Sequence, residues 1–200
     1  MRVLSNYAVL GWGSLIWDLD NLAPFVALPW QMEAGPRLPM EFCRISAKRK
    51  MGLAVCLDSV EGAPCATHAV VSRRDRLADV ISDLAMRERA AEEMIGGICL
   101  TTGAVQGRAE IAGIVRDWCV SAGWTGAVWT DLRGNYAELR GQAFSIADAM
   151  TYLQSLTGES LDEAVRYIHN APATTDTPLR RALVAEDWWR DAVTALPENK

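Results

Sequence analysis

A glycine-punctuated loop and one carboxylate are the residues of this chain whose types and spacing suit chemistry. The loop, Gly11-Trp12-Gly13-Ser14-Leu15, follows the apolar run Tyr7 to Leu10, so it leaves the end of a buried strand. It is not a dinucleotide fingerprint, which needs a glycine where Ile16 stands, and no Gly-Lys-Ser/Thr follows to make a Walker loop. A nucleophile elbow fails as well, because Ile16 rather than glycine lies two residues after Ser14. Two glycines at a strand end do free successive N–H groups to form a concavity suited to a carboxylate. On the motif alone, a tight structural turn and a ligand loop both stand.

The carboxylate is Glu88, which on a helix lies four positions after Leu84, seven after Ile81 and eleven after Leu77, in the apolar stripe. Desolvation there raises a carboxyl pKa toward the range of a general acid/base near neutral pH. Pairing with an arginine such as Arg87, or a helix that frays before Glu88, is the competing reading. His68 and His169 have no Cys, His or Asp at ligand spacing, so no metal and no cofactor is expected. The five cysteines, at 43, 56, 65, 99 and 119, form no C-x-x-C and read as buried reduced thiols without a catalytic part. Trp12 and Trp17 flank the loop, where they either pack or line a pocket.

These residues need elements to hold them. After the first strand, 18–39 carries four prolines and reads as a long irregular connection; 40–47, 52–57 and 67–72 read as strands. Ser72 with Asp75 reads as a capping box opening the helix that carries Glu88, stopped at Gly96-Gly97. A strand over 98–105, a helix over 109–122 closed by Gly123, and a strand over 126–132 follow. Ser145 with Asp148, Ser160 with Glu163, and Thr177 before Pro178 mark the starts of three C-terminal helices. The fold class is α/β with a mixed sheet, in one domain: a core over 7–140 and a helical extension over 141–200 packed on it.

The chain has 200 residues, half of them hydrophobic and 22% charged, as in an ordinary globular protein able to bury a core. Its formal net charge of -5 argues against a partner bound through phosphate neutralisation, so nucleic acid is not expected. No apolar stretch approaches the ~20 residues of a membrane span and none reads as a signal peptide, so neither a membrane nor an anchor is expected. Reduced cysteines point to the cytoplasm. Oligomeric state has no signature in the sequence.

The segment Ala8-Val9-Leu10-Gly11-Trp12-Gly13-Ser14-Leu15-Ile16-Trp17 resembles the Tyr-Gly-Ser-Leu loop of the γ-glutamylcyclotransferase-like superfamily, and is most similar to its ChaC-type members. Leu84-Ala85-Met86-Arg87-Glu88 resembles the context of that superfamily's catalytic glutamate, and Phe42-Cys43-Arg44-Ile45-Ser46 is similar to the strand after the loop. The likeness covers roughly residues 7 to 105. Trp12 stands where tyrosine is usual, and Arg89 where Gly or Lys often follows the glutamate. The resemblance implies a mixed barrel-like sheet with flanking helices, and Glu88 as the catalytic proton carrier. It also implies a small γ-glutamyl substrate held by Gly11, Trp12, Gly13, Ser14 and Leu15, and the formation of 5-oxoproline. A non-catalytic binding or interaction protein of the same fold is the alternative.

Overall fold

The structure, a computed structural model, describes residues 6–196. In chain order it has β1 (Tyr7–Gly11), β2 (Val26–Gln31), β3 (Arg37–Ser46), β4 (Gly52–Leu57), β5 (Ala63–Ala66), β6 (His68–Ser72), α1 (Leu77–Glu88), β7 (Ile95–Cys99), β8 (Val105–Gln106), α2 (Ala109–Ala122) and β9 (Gly126–Thr130). Five helices complete it: α3 (Tyr136–Arg140), α4 (Ile146–Ser155), α5 (Glu159–His169), α6 (Pro178–Val184) and α7 (Asp187–Thr194). Two compact units result, each discontinuous in sequence: the residues up to Leu38 with Ala66–Leu132, and Pro39–Cys65 with the residues from Arg133 onward. Contacts therefore do not divide at residue 140, the boundary expected from the sequence.

The first unit is built on a mixed sheet of order β2-β6-β1-β9-β7-β8, with β1 antiparallel to β6 and parallel to β9. β2 and β8 are its edges, so the sheet is open, and the barrel-like closure expected from the resemblance is absent among the described residues. Every residue of β1 is buried. Val80, Ile81, Leu84 and Ala85 of α1 pack with Val9, Val70, Ile95 and Val128 of the sheet, with Leu77 against them, so Leu77, Ile81 and Leu84 of the stripe read from the sequence face the core.

Two local readings change. α1 begins at Leu77 with Arg76 as its N-cap, not at Ser72, which ends β6 and whose hydroxyl accepts from the Arg74 N–H at 3.1 Å. Gly96 and Gly97 lie inside β7 rather than closing a helix, because a Cβ at Gly96 would strike the Trp129 indole and one at Gly97 would crowd Ile81. The expected irregular connection over 18–39 contains β2 and the start of β3.

The second unit joins the three-stranded sheet β4-β3-β5 to helices α3 to α7. Phe42, Ile45 and Leu53 pack with Tyr136, Tyr152, Leu153, Ile168 and Leu183. Ser145 caps α4 and Thr177 caps α6 as expected, each hydroxyl accepting an N–H three residues on at 3.2 Å. Ser160 does not open α5, whose N-cap is Gly158.

Glu41 is fully buried in this unit and tied to the start of α6. Its carboxylate accepts the Phe42 N–H at 2.7 Å and the Leu179 N–H at 3.0 Å, and it bonds the Thr177 side chain. Burial pushes its pKa above the usual carboxylate value of 4.5 despite these bonds. Glu41→Gln is expected to cost about 2 kcal/mol, because the amide nitrogen faces a backbone donor with nothing to accept. The sign of the pH effect follows from the raised folded-state pKa: the folded state holds the proton more tightly, so stability falls as pH rises from 4.5 to the folded value. Urea unfolding of wild type and variant across that window should show the gap between them narrowing with pH. A gap that widens contradicts the assignment.

Candidate functional site

The loop and Glu88 both lie in the first unit, at the end of β1 and the end of α1. β1 stops at Gly11, paired with His68 of β6. A side chain at Gly11 would collide with the six-membered ring of Trp30, so this glycine is required by the close approach of the indole. Trp12 is extended and buried, and Gly13 takes φ +56°, the left-handed conformation that starts the 3-10 turn Gly13–Ile16. Leu15 is buried in the core with Leu22 and Leu84 and holds the turn on the sheet. The Ser14 carbonyl accepts from the N–H groups of Trp17, at 3.3 Å, and Asp18, at 2.9 Å. Of the five loop residues proposed for substrate binding, Trp12 and Leu15 thus have their side chains in packing and can offer a ligand chiefly their backbone.

Glu88 is the last residue of α1, because Arg89 adopts the left-handed conformation that closes the helix. Its side chain is 17% exposed, whereas that of Arg87 is 2% exposed. The expectation of a desolvated glutamate in the middle of the stripe therefore changes: the charged groups the helix buries deeply are Arg87 and Asp83, the latter paired with Arg74, and of the two only Arg87 adjoins Glu88. Arg87 Nη1 donates to Glu88 Oε1 at 3.0 Å. Nη2 donates to the Asp18 carbonyl at 2.6 Å and to Ser14 Oγ at 3.4 Å, and Nε donates to the same carbonyl at 3.2 Å. One planar guanidinium thus binds the loop on one edge and the glutamate on another, which a lysine with a single nitrogen cannot do. Glu88 Oε2 receives no hydrogen bond among the described residues.

The pairing of Glu88 with Arg87 is the competing reading left open by the sequence. The reach of Arg87 to Ser14 and Asp18 was not foreseen. A signal for it existed, since Val80, Leu84 and Arg87 follow helical spacing and place Arg87 on the face that meets the sheet. Nothing in the sequence pointed to Trp30, which reaches Gly11 from β2.

The other candidate groups have structural partners. His68 is buried and its Nδ1 accepts the Glu33 N–H at 2.8 Å; burial lowers its pKa. None of the five cysteines forms a disulfide, and all are buried. Cys99 departs from the expectation of an inert thiol: burial pushes its pKa up, but hydrogen bonds from Thr102 and Tyr7 outweigh it and bring the thiol below its usual value. Its partner Tyr7 begins β1, whose other end carries the loop. Among the described residues no three His, Cys, Asp or Glu side chains are grouped as a metal site, and no helix is long and apolar enough to cross a membrane. Comparison of the chain with protein-family models, with curated proteins and with solved structures gives no match.

Proposed function

We propose that this protein is a γ-glutamyl cyclotransferase-type enzyme, which forms 5-oxoproline from a γ-glutamyl peptide or amine and releases the attached amine. The observation that carries the reading is the Arg87 guanidinium, which bonds Ser14 of the loop and Glu88 of the helix end together. Two features 74 residues apart, each resembling part of the same superfamily site, meet on one side chain.

The reaction asks little beyond this arrangement. The substrate's α-amine attacks its own γ-carbonyl carbon, the new C–N bond closes a five-membered ring, and the old amide C–N bond breaks. The α-ammonium gives up two protons and the departing nitrogen gains two, so the amine leaves as an ammonium with no net proton change. Intramolecular attack has a high effective molarity once the chain is folded on itself, so the protein has to hold the conformer and carry protons. Glu88 carries them one at a time through its free Oε2. Backbone N–H groups of the Gly13–Ile16 turn hold the substrate and polarise the carbonyl as the oxyanion develops.

A binding protein of the same fold is the second reading, favoured by the ion pair that already engages Oε1 of Glu88. A panel of γ-glutamyl peptides and amines assayed for 5-oxoproline separates the two. Product from at least one compound is expected, and a broad panel without product favours the binding protein.

A further inference from the structure

Next to the loop, still within the first unit, lies a pocket of about 510 Å³ with Ile16, Trp17, Asp18, Asp20, Leu28 and Trp30 in its wall. It falls within the size of small-molecule sites. Its lining holds two indoles and two carboxylates and no cationic side chain. Trp17 is 53% exposed there, a large aromatic surface left uncovered, while the Trp30 ring is fixed against Gly11 and its buried Nε1 lacks a partner among the described residues. Asp18 lines the pocket, is exposed, and meets Arg87 only through its backbone carbonyl, so the guanidinium does not engage its carboxylate. Among the described residues Asp20 pairs with exposed Arg89 at 3.6 Å, a surface contact of the kind that opens at little cost.

Indole faces attract cations through the ring quadrupole, and carboxylates beside them add direct attraction, whereas an anionic group entering here meets two like charges. The pocket adjoins the proposed site, since Asp18, one of its lining residues, is bound through its carbonyl by the guanidinium that holds Glu88. We propose that the pocket receives the leaving amine of the γ-glutamyl substrate and selects one carrying a distal cation, such as the γ-glutamyl derivative of a diamine. The assignment rests on the cyclotransferase reading.

Three nearly isosteric substrates test it: γ-glutamyl derivatives of 1,4-diaminobutane, of n-butylamine and of γ-aminobutyrate, whose distal ends are cationic, neutral and anionic. In parallel, free 1,4-diaminobutane, 1,4-butanediol and succinate are titrated while the Trp17 and Trp30 indole N–H signals are followed by NMR. The cationic substrate is expected to exceed the anionic one in kcat/KM by at least ~10-fold, the scale of one well-shielded cation–indole contact. The Asp18→Asn/Asp20→Asn double variant should bring that ratio toward one, and the diamine alone should shift the two indole signals. Equal turnover of all three substrates, or a ratio unchanged in the double variant, overturns the pocket assignment and leaves the cyclotransferase reading standing. No 5-oxoproline from any of them, with diamine binding that the double variant loses, overturns the leaving-amine role and the cyclotransferase reading but keeps a cation site in a binding protein. Neither turnover nor diamine binding removes both.

Discussion

Glu88→Gln is expected to lower 5-oxoproline formation by at least ~100-fold, the usual lower scale for loss of a general acid/base. The variant keeps the size of the side chain and an oxygen that accepts from Arg87 Nη1, but it removes the group that takes and returns the proton. Stability should change by no more than about 1 kcal/mol, because the buried guanidinium retains its two bonds to the Asp18 carbonyl and the pair it loses was partly exposed. Turnover and thermal melting on one preparation decide the matter. A folded Gln variant with undiminished turnover removes Glu88 from the chemistry. A strongly destabilised variant of a protein that forms no product on a broad panel makes the Arg87–Glu88 pair a structural one.

Arg87→Ala is expected to be the most destabilising change at the site, at about 3 kcal/mol. Its side chain is 2% exposed and makes four hydrogen bonds; removing it strips the Asp18 carbonyl of two donors and leaves Glu88 unpaired. In a chain of this size that corresponds to a melting point lower by about 6 to 12 °C. Arg87→Lys keeps the charge but reaches these acceptors with one nitrogen, so it should recover part of the stability and little of the turnover. Melting curves and limited proteolysis over residues 14–20 check both variants. An Arg87→Ala protein that melts as wild type and resists cleavage there would show that the loop is held by Leu15 packing alone.

Much of the skeleton was legible in the chain. The buried run Tyr7 to Leu10, the stripe Leu77, Ile81 and Leu84, the helix 109–122 with Gly123 behind it, and the caps at Ser145 and Thr177 are local patterns, and the structure forms each of them. The errors have one physical origin. Gly96 and Gly97 read as a stop because glycine weakens regular structure, yet they belong to β7 since Trp129 and Ile81 occupy the space their side chains would fill. The stripe continued past Leu84 to Glu88 because periodicity carries no information on where α1 ends relative to the sheet. The boundary at 140 came from a change of element type, whereas Phe42 and Ile45 pack with side chains from Tyr136 onward, far along the chain.

The sequence by itself singled out a two-glycine loop leaving a buried strand, a carboxylate on an amphipathic helix, and a mixed α/β alternation able to hold them. Types, spacing and periodicity are properties of neighbours along the chain, so they survive without coordinates. Only the tertiary structure decided that Arg87 is buried while Glu88 stays partly exposed, that Arg87 joins Ser14, Asp18 and Glu88, that the sheet stays open, and that Trp17, Trp30, Asp18 and Asp20 border one pocket. These depend on which distant segment fills the space beside a given side chain. Packing and the hydrogen-bond needs of buried groups settle that only when the chain is closed on itself.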